Sequence, residues 1–357
     1  SYNFFMLIGL VGKPNVGKST FFKACTLANI EIANRPFVTI KPNHGIGYVK
    51  IDCIDKEFNV SCNPTKGYCV KNKRFIPIEL VDVAGLVEGA SEGKGLGNEF
   101  LNDLISADAL IHVVDISGET NAEGKPVKNY DPSNDIKIIE NELDQWYLGI
   151  LKKVWKNFSR SIKNTKEDFT KSIAKQFSGL KINENHVRKA ILKKNFNTEI
   201  SSRSTHLGEI SGSKIPNKTQ EIFDIEKLNE WSDDILLNFA HELRCLSKPM
   251  IIAANKIDLS DSNENLQKLK KNYPELLIIP CSADSELALR EASKSGLIDY
   301  IQGDSKFTVK GNLKEKQILA LKEIKEKVLD VYGSTGIQEI LNKTVFDLLK
   351  YLAIFPA

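Results

Sequence analysis

Long apolar runs are missing from this sequence. None approaches the ~20 residues that span a bilayer, and the longest, Ala109–Val114 and Met250–Ala254, have the length of buried strands. This argues against membrane-spanning helices. Cysteine is sparse as well: six residues at irregular spacings in a 357-residue chain do not make a disulfide scaffold, and they fit a reducing, cytoplasmic setting. No internal repeat is found, and the apolar N-terminal stretch runs straight into a motif the protein must keep, so it does not read as a signal peptide. What is present is an ordinary globular composition, 41% apolar and 27% charged, which excludes wholesale disorder and fibrous classes. At this length it points to roughly two domains.

The net charge of +3 hides an asymmetry. Between Leu151 and Ile200 there are 13 Lys and Arg against 4 Asp and Glu, a net +9 that leaves the rest of the chain at −6. Such a segment is either the electrostatic footprint of an RNA or ribosome partner or a solvated helical face. Trp155, Phe158, Phe169 and Phe177 interleave with these charges at a spacing that suits helix packing as well as base stacking. Strand patterns occur at Phe4–Val11, Phe75–Val83, Ala109–Asp115, Met250–Ala254 and Leu276–Pro280, with helical stretches between them. The expected class is therefore α/β, a mostly parallel sheet with helices on both faces. Strand signals stop between Asp135 and Glu242, where helical periodicity covers Ile136–Phe158, Phe169–Phe177, Asn185–Lys194 and Ile225–Leu246. Ser201–Lys218 is polar and reads as a loop, and Leu313–Tyr332 reads as an amphipathic helix with Leu321, Ile324, Val328 and Val331 on one face. The expected organisation is a nucleotide-binding domain from 1–117 and 248–357, interrupted by a helical insertion at 118–247.

Gly12-Lys13-Pro14-Asn15-Val16-Gly17-Lys18-Ser19, followed by Thr20, fits G-x-x-x-x-G-K-[ST] between a strand and a helix. The glycines let the backbone wrap a phosphate, while the helix N-terminus aims free N–H groups and its positive dipole end at it. Lys18 is placed to neutralise phosphate oxygens and the Ser19 hydroxyl to ligate Mg²⁺. Asp82-Val83-Ala84-Gly85 ends the next strand, where the Asp82 carboxylate suits Mg²⁺ and the Gly85 N–H a terminal phosphate; Thr39 lies between the motifs as a further hydroxyl for the metal. Asn255-Lys256-Ile257-Asp258 follows an apolar strand. An Asp258 carboxylate accepts from both N1–H and the N2 amine of guanine, whereas adenine has neither donor. Asn255 is expected to tie the base edge to the phosphate loop, the Lys256 stem to cover the ring, and Ser282 and Ala283 to close over the base through backbone N–H groups. Asp82 and Asn255 are 173 residues apart where about 60 would suffice, in agreement with a helical insertion.

The position that often carries a water-orienting Gln after D-x-x-G is Leu86, so turnover is expected to be slow or completed by a cation or partner. Asn15 is a candidate K⁺ ligand. Cys53, Cys62 and Cys69 have spacings C-x₈-C-x₆-C that match no common zinc site and read as packed or redox-sensitive thiols, and His112 reads as a satisfied core residue.

The strings GKPNVGKST, NRPFVTIKPN, DVAGLVEGASEGKGLGNEFL, NKID, CSAD and GSTGIQEILN, in this order, resemble the YchF (Obg-like ATPase) branch of the Obg GTPases over nearly the whole chain. The resemblance implies a P-loop nucleoside triphosphatase with a coiled-coil-like insertion and ribosome or translation-factor association, and it makes the hydrophobic residue at Leu86 a family trait. It also implies a C-terminal β-rich TGS module, which would begin where this sequence stops at Ile354-Phe355-Pro356-Ala357. ATP-hydrolysing members lack N-K-x-D. Its retention here, at Asn255, Lys256 and Asp258, favours GTP and GDP over ATP as the nucleotides. The alternatives are an ATPase and a nucleotide-loaded RNA- or ribosome-binding module with negligible turnover.

Overall fold

The computed structural model describes residues 6–27, 43–83, 104–165, 167–192 and 225–355. They fall into two compact units, 1–139 with 249–357, and 140–248.

In the first unit a seven-stranded sheet has the order β2-β4-β1-β5-β6-β7, with β3 pairing off that path onto β4. The strands are β1 (Leu7–Val11), β2 (His44–Asp52), β3 (Tyr68–Val70), β4 (Lys73–Asp82), β5 (Ala109–Asp115), β6 (Met250–Asn255) and β7 (Ile278–Pro280). The core pairs β4–β1–β5–β6–β7 are parallel, and β2 and β3 run antiparallel to β4. All residues of β5 are buried, as a strand covered by helices on both faces demands. One face carries α1 (Lys18–Thr26) and a C-terminal helix at Ile337–Lys343, with Phe21, Ile337, Ile340 and Leu341 packed on Ile8, Leu10 and Ile251. On the other face Val114, Ile252 and Ala254 pack with Ile136, Leu266 and Leu269. The α/β expectation is met, while the antiparallel side escaped it: the alternation of β2 (His44-Gly45-Ile46-Gly47-Tyr48-Val49) is diluted by two glycines.

Three further expectations change. The expected first boundary, after residue 117, falls inside the first unit, because Lys13 and Asn15 of the phosphate loop are bound to the segment 118–135. The expected apolar face Leu321-Ile324-Val328-Val331 breaks at its end: Leu321 and Val328 are buried, but Val331 is 60% exposed. A π-turn over Lys325–Leu329 adds a residue to the helix and rotates the next turn toward solvent. Finally, Ser201–Lys218 lies outside the described residues.

The second unit is helical. It holds most of the 33-residue helix Ser133–Thr165, which crosses the boundary at 139, together with the helices Phe169–Gln176 and Asp233–Ser247, and residues 184–192 are helical too. Asp168 caps the second helix by accepting from Lys171 N, and Ser232 caps the third by accepting from Ile235 N. The core is aromatic: Trp155 stacks on Trp231 with centroids 5.1 Å apart, and Phe239 meets Trp231 edge-on at 5.3 Å. Phe169 lies 6.0 Å from Phe239 and 6.1 Å from Phe158. The interleaved aromatic residues are thus packing residues. By contrast, every described Lys and Arg between 151 and 200 is exposed.

Candidate functional site

The loop between β1 and α1 is shaped by two backbone requirements. Gly17 has φ 90°, a left-handed value, and a side chain there would run into the Asn255 amide. Gly12 lies so close to β5 that a Cβ would meet Val113 O at 2.6 Å. At the start of α1, Lys18 Nζ is 2.8 Å from Asp82 Oδ1, and Ser19 Oγ donates to Asp82 Oδ2 at 3.0 Å. The parallel register Leu10↔Asp82 brings these groups together across 63 residues of chain. An ammonium, a hydroxyl and a carboxylate at a helix N-terminus form a donor set suited to a triphosphate with Mg²⁺.

Two loop residues turn elsewhere. Lys13 is buried: its ammonium donates to Thr120 O at 2.7 Å, pairs with Asp135 Oδ2 at 2.9 Å and sits 4.2 Å from the Tyr130 ring centroid. Expected as a nucleotide contact, Lys13 can offer only its backbone, since its side chain anchors the loop to the segment after β5. Burial pushes the Asp135 carboxyl up, against the pull of that ammonium. Asn15, in left-handed conformation at φ 64°, donates Nδ2 to Gly124 O at 3.0 Å. Its Oδ1 is the group left for a cation.

Asn255 is 3% exposed and bridges two loops: Nδ2 donates to Val16 O at 2.8 Å, and Oδ1 accepts from Ala283 N at 2.9 Å. It joins the phosphate loop to the Ser282-Ala283 loop. The Ser282 N–H donates to Thr335 O at 3.0 Å, so the two N–H groups expected to close over a base are engaged in holding their own loop. Lys256 has φ 66° and directs its ammonium to Asp115 Oδ2 at 2.8 Å. Asp115 also accepts from Ser117 Oγ and Thr120 Oγ1, at 2.6 and 2.7 Å. Burial opposes its ionisation, but the hydrogen bonds from Lys256, Ser117 and Thr120 prevail and hold its carboxyl below the usual range. Asp258 is half-buried at a cavity of about 230 Å³ that also takes in Asp284, Ser285, Ala288, Ile324 and Val328. Pro14, Val16 and Thr20 complete the phosphate-loop segment. Thr39, Gly85 and Leu86 lie outside the described residues.

Sequence reasoning missed three supports. Asp115 organises Lys256, and the signal available was an acid at the C-terminal end of a central strand. The turn at Thr335-Gly336 backs the base loop: Gly336 has φ 80° and leaves no room for a Cβ against Pro280 O. Thr335 Oγ1 donates to the buried Glu286, which Tyr300 OH also reaches at 2.7 Å. Beyond it, Asn342 brackets Lys50 of β2, accepting from its N–H at 2.9 Å and donating to its carbonyl at 2.7 Å. His112 is fully buried, yet neither ring nitrogen has a hydrogen-bond partner among the described residues, so it is not the satisfied residue expected. Burial, with Lys13 nearby, drives its pKa down to about 3.

This fold and site define a P-loop GTPase. One family model, described as Obg-like GTPase YGR210-like, G4 motif-containing domain, matches residues 253–357, and another, 50S ribosome-binding GTPase, matches 7–151. The chain is 43% identical over 350 residues to an uncharacterized GTP-binding protein of Methanocaldococcus jannaschii, covering 98% of this chain and 81% of that one. It is 32% identical over 296 residues to the ribosome-binding ATPase YchF of Bacillus subtilis, covering 80% and 68%. The crystal structure of a GTP-binding protein from Pyrococcus horikoshii OT3 matches with a TM-score of 0.70 at 40% identity, over 97% of this chain and 79% of that one. The chain belongs to the YchF and Obg-like GTPase family.

Proposed function

We propose that this protein is a slow, GTP-preferring, Mg²⁺-dependent nucleoside triphosphatase that switches a ribosome-linked partner. The observation that carries the proposal is the Asn255 bridge, which ties the phosphate loop to the Ser282-Ala283 loop, with Asp258 three residues further along the same motif. Lys18 neutralises phosphate oxygens, and Asp258 accepts from the guanine edge. Mg²⁺ held by Ser19, Asp82 and Thr39 would supply charge stabilisation at the phosphoryl oxygens. Gly85 offers its N–H to the terminal phosphate. Leu86 orients no water, which accounts for slow turnover and leaves room for K⁺ near Asn15 or for a partner. The exposed basic face of the helical unit is the surface assigned to ribosome or RNA. A cytoplasmic location follows from that partner, and no described helix is long and apolar enough to cross a membrane.

Equilibrium binding of GDP, GTP, ADP and ATP with Mg²⁺, to wild type and Asp258→Ala, tests the proposal. A guanine preference of about tenfold or more, ~1.4 kcal/mol, that collapses in the variant is the expected result. Equal or tighter ATP binding, unmoved by the substitution, would favour the second reading, an ATPase, which the name of the Bacillus subtilis relative supports. Phosphate release with and without ribosomes, in K⁺ and in Na⁺, then separates a switch from a module that barely turns over.

A further inference from the structure

Cys53, Cys62 and Cys69 come from three different places: the residue just past β2, the excursion between β2 and β3, and β3 itself. Their sulfurs nevertheless lie within 4.8 Å of one another. The sequence spacing had argued against this, because C-x₈-C-x₆-C matches no common site; the antiparallel return of β3 along β4 is what folds the thiols together. We propose that these three thiols, with the Asp55 carboxylate, bind one Zn²⁺ ion that pins this lobe.

Tetrahedral Zn²⁺ with bonds of about 2.3 Å places thiolate sulfurs about 3.8 Å apart, so the three sulfurs close on the ion by a shift of about 1 Å or less. The fourth ligand has to swing in from the side of Cys69, because the Asp55 carboxylate lies beside the three sulfurs and not within 4.8 Å of all of them. Asp55 is 8% exposed, its Oδ2 lies 3.6 Å from Cys69 Sγ, and its Oδ1 accepts from Asn72 Nδ2 at 3.0 Å. That second contact is the outer-shell hydrogen bond that orients a carboxylate ligand. Sulfur donors select Zn²⁺ over Mg²⁺ or Ca²⁺.

A separate observation comes from Arg74. It lies directly opposite Cys69 in the β3–β4 register, and side chains so paired share one face of the sheet. Its Nη1 is buried without a hydrogen-bond partner among the described residues. Three thiolates and a carboxylate around Zn²⁺ carry a net negative charge, which would give this stranded guanidinium nitrogen an acceptor and a counter-charge. The lobe also needs a staple. Phe58 and Val60 are 67% and 61% exposed, so the excursion has little core of its own, the situation in which small folded segments depend on a metal. It sits at the opposite end of the ten-residue β4 from Asp82, about 25–30 Å away, so the ion would be structural and separate from the nucleotide site.

The test is the metal content of the full-length chain expressed with zinc and purified without a metal-affinity step. Elemental analysis should find about one Zn per chain, with Co²⁺ substitution giving the intense ligand-field bands of tetrahedral thiolate coordination. Cys62→Ser and Cys69→Ser should lower bound zinc at least about tenfold, and Asn72→Ala should weaken zinc affinity about tenfold through Asp55. Guanine-nucleotide binding by these variants is the control for folding. Wild-type protein with under a tenth of an equivalent of zinc, Co²⁺ spectra of plain octahedral ion, or a disulfide between two of the three cysteines in the protein as isolated from reducing cells would each overturn the proposal, whether or not the variants fold.

Discussion

The two units differ in what holds their centres: charged pairs fix the loops of the sheet unit, and aromatic packing dominates the helical one. In the sheet unit charged groups turn inward and hold loops: Lys13 is buried on Asp135, the half-buried Lys256 reaches the buried Asp115, and Lys18 pairs with the half-buried Asp82. In the helical unit the core is aromatic and the described Lys and Arg of 151–192 stay outside, with pairs such as Lys152–Asp233 in the open, while Arg244, paired with Asp144, and Lys248 are buried near its end. A buried ion pair fixes geometry at a large desolvation cost, which suits loops that must meet a phosphate at set distances. An exposed cation keeps its field for a partner but contributes little to stability.

Breaking one centre in each unit gives the largest expected effects. Asp115→Ala strands the Lys256 ammonium and two hydroxyls and should cost ~3–5 kcal/mol. Trp155→Ala removes the stacked centre of the helical unit and should cost a similar ~3–5 kcal/mol. All three tryptophans, Trp146, Trp155 and Trp231, lie in the helical unit, so urea unfolding followed by tryptophan fluorescence reports that unit, while far-UV circular dichroism reports both. If Asp115→Ala shifts the fluorescence transition as far as the dichroism one, the units do not unfold separately.

Two histidines sharpen the contrast through pH. His112 is held neutral by burial, with its pKa down at about 3 against an ordinary 6.5. The unfolded chain therefore takes up a proton first as pH falls, and stability present above 6.5 is lost toward 3 at up to ~1.4 kcal/mol per pH unit. His112→Phe should flatten that acid limb in the dichroism-monitored transition. His241 has the opposite sign. The Asp144 carboxylate, 2.8 Å from Nδ1, and the Cys245 thiol raise its pKa to about 10, so its contribution is complete below 6.5 and is lost as pH rises toward 10. Its side chain is 40% exposed, so screening makes this effect smaller than that of His112. His241→Gln should remove it from the fluorescence-monitored transition and leave the acid limb unchanged.

The smallest effect belongs to the surface. Lys152→Ala, which removes the exposed partner of Asp233, should change stability by less than ~0.5–1 kcal/mol by the same urea titration. A larger loss would mean that the basic face is structural rather than reserved for a partner.

Legibility followed the distance over which each feature is encoded. The phosphate loop was readable because strand, glycine turn and helix lie within 20 residues, and each part has a local signature. Asn255–Asp258 was readable as a motif, yet the destination of each side chain was not. Lys256 goes to Asp115, 141 residues away, and the Ala283 N–H goes to Asn255 rather than to a ligand. Lys13 looked like a phosphate contact by position in the loop, but its partner Asp135 lies in a segment that sequence had assigned to the insertion. Val331 shows a finer limit. Periodicity assumes a constant residue count per turn, and the π-turn at Lys325–Leu329 changes it.

By itself the sequence determined the α/β class, the order of the nucleotide motifs and the presence of a basic helical insertion. These rest on local patterns of apolar residues, glycines and charges that hold whatever the chain packs against. Only the tertiary structure decided which charges are buried, where the units divide, and that three cysteines with no recognisable spacing meet around one point. Those outcomes depend on strand register and loop closure between residues far apart in the chain, and no local pattern encodes them.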